Sequence, residues 1–261
     1  MLLENKVAIL YGAGGHIGRA VARVFAREGA IVCATGRDVG PVDGLTGELR
    51  AAGGRAHAAR VDALDARAVE AHFAAVIEQH GGVDISFNMI ALQDVQGPEL
   101  IAMELEDYLR PITIAARTQF LTATAAARHM VTRGRGLIMT IVATPSRLAL
   151  PLVGGFGTAC GAIEGMMRTL AAEVGPKGVR VCWLRSAGSP ESFPATDPDS
   201  PADGSAGITN AEYRQALSDS TLLRRMPTLE EVGEAAAWLA SGRASAITGA
   251  AMNLTCGQIV D

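Results

Sequence analysis

The chain has 261 residues, 49% hydrophobic and only 4% aromatic, with a formal net charge of −4. That composition supplies one large aliphatic core, and the scattered Lys and Arg exclude an extended basic face for nucleic acid or an anionic membrane. No apolar run reaches the ~20 residues of a membrane span, and MLLENKVAIL lacks the basic-then-apolar plan of a signal peptide, so a soluble, cytoplasmic, single-domain protein over 1–261 is expected.

KVAILY (6–11) reads as a short buried strand, followed by a glycine-rich turn. In IGRAVARVFAREGA, Ile17, Val21, Val24 and Phe25 share one helical face. AIVCATG (30–36) is a second strand, a helix covers about 40–53, and RAHAARVDA contains a third strand. ARAVEAHFAAVIEQHGG is an amphipathic helix stopped by two glycines, and VDISFN (83–88) is a fourth strand. A long helix over about 104–133 precedes the strand GLIMTIVA (136–143) and a helix over about 155–174. GVRVCWL and AAMNLT complete about seven strands. This alternation predicts an α/β fold, a Rossmann-type doubly wound parallel sheet with helices on both faces. Residues 189–210, with four prolines and little periodicity, are expected to form a mobile loop acting as a substrate lid; an inert linker is the alternative.

The four cysteines form no CxxC pair, and the five histidines show no ligand spacing. Reduced, mostly buried thiols and no metal site are expected.

YGAGGHIG (11–18) lies between the first strand and first helix. Gly12 permits a sharp turn, Gly14 and Gly15 let backbone N–H groups approach a pyrophosphate, and Gly18 allows the helix to pack on the strand. His16 and Ile17 open the helix, whose N-terminus favours phosphate. The second strand ends in TGRD, with Gly36 where an NAD-binding cradle usually has a carboxylate and Arg37 next. A guanidinium suits a 2′-phosphate, so NADP(H) is expected ahead of NAD(H); a solvated arginine is the alternative. Asp62 and Ala63 follow the third strand, where they can meet the adenine edge, and Asn88 closes the fourth, where it can hold backbone.

From end to end the chain resembles the short-chain dehydrogenases/reductases. YGAGGHIG resembles their glycine motif, with Tyr11 for the common threonine and His16 where the shorter branch has glycine. VDISFNMIA resembles their Asn-Asn-Ala-Gly segment, and RRMPTLEEVGEAAAWLASGRASAITGAAMNLTCG is similar to their C-terminal region. The resemblance implies a small-molecule substrate and a homo-oligomer, commonly a tetramer. It also implies a catalytic tyrosine, a lysine one turn later, a serine on the fifth strand and an asparagine on the fourth helix. Carried onto this sequence, those positions hold Phe156, Cys160, Ala143 and, near the helix midpoint, Ala115. The family's Pro-Gly after the sixth strand becomes Ser186-Ala187.

A carbonyl turning into an alkoxide needs a proton donor, and Phe156 has none. The expected pocket residues are Gln93, Ala143, Thr144, Phe156, Arg185 and Ser186, with Thr144, Ser146, Thr158, Asp94 and Tyr108 as further polar candidates and Arg185 as a holder of anions. Three readings stay open. One is an oxidoreductase acting on activated carbon–carbon or iminium bonds; the others are a non-redox cyclase, isomerase or lyase on the same fold, and a silent nucleotide-binding scaffold.

Overall fold

A computed structural model describes residues 1–193 and 209–260. Seven parallel strands form one sheet: β1 (Val7–Tyr11), β2 (Ile31–Gly36), β3 (Arg55–Arg60), β4 (Ile85–Asn88), β5 (Gly136–Ala143), β6 (Val179–Ser186) and β7 (Ala250–Leu254). Their spatial order is β3-β2-β1-β4-β5-β6-β7. The order reverses between β1 and β4, where Tyr11 is in register with Asn88, and a crevice opens beyond that point.

The helices are α1 (His16–Arg27), α2 (Gly40–Ala51), α3 (Ala66–His80), α4 (Leu105–Arg133), α5 (Gly154–Val174), α6 (Asn210–Asp219) and α7 (Leu229–Ala240). One buried cluster joins Val21, Phe25, Leu45 and Ala236 to Leu10 and Phe87 on one side of the sheet. A second joins Phe73, Ala126, Met130, Ile163 and Met167 to Ile9, Ile138 and Val181 on the other. Because both faces are covered, inner strands such as β1 and β5 read as nearly continuous apolar runs, whereas the edge strand β3, RAHAAR, does not. The two glycines after α3 match a left-handed cap at Gly81 (φ 76°). No described helix is long and apolar enough to cross a membrane.

Two expectations need correction at the C-terminal end of the chain. The loop expected over 189–210 is bounded more narrowly: Pro190–Ser192 form a 3-10 turn and Thr209 already caps α6. Residues 194–208, the remainder of that segment, lie outside the described residues. Helices α6 and α7 were not anticipated by periodicity, yet each opens with a capping box, Thr209/Glu212 and Thr228/Glu231.

Candidate active site

The glycine turn is built by exclusion. Gly12 has φ +78°, and a Cβ on it would lie 2.8 Å from the Met89 carbonyl oxygen. A Cβ on Gly18 would lie 2.3 Å from the Gly12 carbonyl oxygen, so α1 can sit this close to β1 only with glycine there. Gly15 N-caps α1 without any side-chain cap, leaving the first-turn N–H groups directed at the crevice.

A cavity of about 660 Å³ runs from this turn across the ends of β2 and β3. Gly12, Gly14, Gly15, Arg37, Asp62, Ala63 and Gln93 line it, as do Asp38, Ile114 and Thr118, which the sequence did not single out. Arg37 is exposed, and its guanidinium has no ion-pair partner among the described residues, whereas Asp38 Oδ1 accepts the Gly40 N–H at 3.0 Å. Asp62 Oδ1 accepts the Leu64 N–H at 2.9 Å.

A second cavity, about 370 Å³, shares Gly15, Met89, Ile90 and Ala91 with the first and extends over the ends of β4, β5 and β6. Its lining brings together His16, Ile17, Gly18, Asn88, Ala143, Phe156, Cys160 and Ser186. Register explains part of this, since Ala143 pairs with Ser186 across β5 and β6. Phe156 and Cys160 are four residues apart on α5, hence on one helical face. Asp94, Gln119, Ser189 and Ser192 also line the cavity.

Asn88 is held in place by three hydrogen bonds. Its Nδ2 donates to Thr122 Oγ1 at 3.0 Å, its Oδ1 accepts the Ile90 N–H at 3.1 Å, and its carbonyl accepts from Thr140 Oγ1 at 3.1 Å. Gln119 Nε2 donates to that same Thr140 hydroxyl at 2.7 Å, tying α4 to the sheet under the cavity. Gln119 escaped sequence reasoning because its signal, one turn from Ala115 on α4, looks like ordinary helix. Burial pushes the Cys160 thiol up to about 11, against an opposing hydrogen bond at the Ala143 backbone. It stays protonated near neutral pH and is no nucleophile.

Several candidates fall outside both cavities. Arg185 does not line the pocket: its Nη2 lies 2.8 Å from Glu164 Oε1, with side-chain exposures of 4% and 2%, so a buried carboxylate already takes its charge. Ser146 Oγ donates to the same oxygen at 2.7 Å. Thr144 is buried after β5 and Ala115 is buried in the core, neither lining a cavity. Tyr108 and Thr158 pair with each other at 3.0 Å on an exposed stretch between α4 and α5. None of these groups lines the second cavity.

A family profile described as Enoyl-(Acyl carrier protein) reductase matches residues 12–258. L-rhamnose 1-dehydrogenase (NAD(P)(+)) of Azotobacter vinelandii is 30% identical over 270 aligned positions, covering 100% of this chain and 99% of that protein. Short-chain reductase protein NovJ of Streptomyces niveus is 28% identical, covering 98% and 94%. The crystal structure of a short-chain type dehydrogenase/reductase from Mycobacterium marinum superposes with a TM-score of 0.85 at 26% identity, covering 99% of this chain and 97% of that one. The chain therefore belongs to the short-chain dehydrogenase/reductase family of oxidoreductases.

Proposed function

We propose that the protein is a nicotinamide-dependent oxidoreductase, preferring NADP(H) to NAD(H), that acts without the family's tyrosine–lysine proton relay. The observation that carries this reading is the meeting of Ala143, Phe156 and Cys160 on one cavity that adjoins the glycine turn.

The residues fit the cofactor. The Gly12–Gly18 turn is too tight for a Cβ at either end, and the uncapped α1 N-terminus offers N–H groups to a pyrophosphate. Arg37 would take the 2′-phosphate, while Asp38 beside it has one carboxylate oxygen occupied by the Gly40 N–H. Asp62 and Ala63 would border the adenine. When bound, the nicotinamide supplies or accepts a hydride.

The chain's own groups then decide which acceptors are reducible. A positioned general acid contributes roughly 10²–10⁴ in rate. Phe156 has no exchangeable proton, and the Cys160 thiol, held up by burial, is a poor donor. Acceptors that need no proton at the hydride-transfer step are therefore favoured over ketones. A homo-oligomer, tetrameric by family analogy, belongs to the same reading; Leu105 and Phe120 on α4, 64% and 57% exposed, support it.

The test follows oxidation of NADPH with ketones against activated alkenes and iminium ions. Turnover of the second group with ketones at background is the expected result. Ketone reduction at rates normal for the family overturns the reading.

A further inference from the structure

The second cavity has an unusual balance of charge. Much of its wall is apolar, including Met89, Ile90, Leu92, Ile141 and Ile163. Among the described residues, Asp94 is the one Asp, Glu, Lys or Arg that lines it. Asp94 Oδ2 accepts from Gln96 Nε2 at 2.6 Å, and Oδ1 accepts no hydrogen bond from the described residues. The charge of Asp94 reaches other groups near the cavity: it raises the Cys160 thiol and the Tyr213 phenol, second to burial as a cause for Tyr213 and a smaller contributor for Cys160.

Among the described residues no Lys or Arg lines the same cavity, and its other polarising feature is the α1 N-terminus at Gly15 and His16, which the pyrophosphate would occupy. Arg185, the nearest cation along β6, is neutralised by Glu164, and Cys160 is an uncharged side chain. A developing alkoxide or a carboxylate substrate would face an uncompensated anion here. A cation would meet both a carboxylate and the ring of Phe156, which also lines the cavity.

We propose that Asp94 and Phe156 select an iminium cation as substrate. The inference rests on the reading of the protein as a nicotinamide-dependent oxidoreductase. In the step, a reduced nicotinamide dinucleotide gives hydride to the iminium carbon, forming a C–H bond. The C=N π bond breaks, and its electron pair becomes the nitrogen lone pair. The iminium is reduced to an amine, the dinucleotide is oxidised, and no proton is consumed. A phenylalanine at position 156 is then no handicap. The positive charge passes from substrate to nicotinamide within the site, so Asp94 faces a cation before and after the step and acts on substrate affinity more than on the chemical rate.

The test uses N-methyl-3,4-dihydroisoquinolinium, a permanent cation, and its neutral carbon isostere 3-methyl-1,2-dihydronaphthalene. Each is titrated by calorimetry into the full-length protein with the redox-inert, uncharged-ring analogue 1,4,5,6-tetrahydro-NADP present, for wild type and Asp94→Asn. The cation is expected to bind roughly 10- to 100-fold more tightly than the isostere, and Asp94→Asn to remove about tenfold or more of that preference. NADPH affinity of the variant should match wild type. Turnover of the cation should show raised KM in Asp94→Asn, nearly unchanged kcat, and no slowing in D2O. Equal affinity for the two probes, or a preference that survives Asp94→Asn, overturns the assignment while leaving dinucleotide binding intact. Failure of wild type to bind NADPH overturns the oxidoreductase reading and this proposal with it.

Discussion

Glu164 on α5 and Arg185 on β6 hold opposite charges 2.8 Å apart in the core, behind the wall of the second cavity. Removing the carboxylate with Glu164→Ala leaves a guanidinium 3% exposed without its buried partner. The expected loss is about 3–5 kcal/mol in urea unfolding. Replacing both residues, Glu164→Leu with Arg185→Met, should recover most of it, because no buried charge is then left alone. Phe156, on the same helix as Glu164, poses a chemical question rather than a stability question. Installing Ala143→Ser, Phe156→Tyr and Cys160→Lys together should create ketone reduction at least about 100-fold above wild type, read as NADPH consumption. No gain would mean that something other than the side chains at these three positions limits ketone reduction. Arg185 shows why residue roles were only partly legible in the sequence. A lone arginine at a strand end looks like an anion holder until its distant partner, 21 positions earlier, is seen beside it.

At the scale of elements, close approach is enforced by glycine. A Cβ on Gly155 would lie 1.9 Å from the Tyr108 carbonyl oxygen, so α5 meets α4 there backbone to backbone. Gly18→Ala is the sharper test, since its Cβ would press on the Gly12 carbonyl and move the turn itself. NADPH affinity should fall at least about tenfold, together with a lower Tm, because two backbone segments cannot both stay in place. Thr228→Ala removes one half of the α7 capping box and should cost about 1 kcal/mol. These elements differ in how they announce themselves. Strands buried on both faces, such as Gly136–Ala143, stand out as apolar runs between turns. Helix α6 has little buried surface and lies after a proline-rich stretch, so only its TxxE cap marked it. The same signal at Thr228 was legible but sat inside a segment read by its resemblance.

At the scale of the whole molecule, the strand order β3-β2-β1-β4-β5-β6-β7 reverses between β1 and β4, and that reversal places the crevice. A parallel sheet of about seven strands with helices on both faces was accessible from the alternation of apolar runs and helices, but its strand order was not. The pocket's charge was not, because it depends on which loop carboxylate faces inward and which buried arginine is already paired. Stability of the molecule should also depend on pH through His72 on α3. Burial lowers its imidazole from 6.5 to about 4, and its Nε2 is buried without a hydrogen bond from the described residues. The unfolded chain therefore takes up a proton that the folded one refuses. Stability present above pH 6.5 is lost as pH falls toward 4, by at most ~3 kcal/mol from this group. Urea midpoints between pH 7 and 4.5 should show the decline, and His72→Gln should flatten it.

The central claim is that this sheet end holds a nicotinamide dinucleotide in the glycine turn with Arg37 on the 2′-phosphate. Calorimetric titration of the purified protein with NADPH and NADH tests it most directly. Micromolar NADPH binding, much weaker NADH binding, and loss of that difference in Arg37→Ala are the predicted results. Binding of neither nucleotide would contradict the account, and equal binding of both would contradict the role given to Arg37.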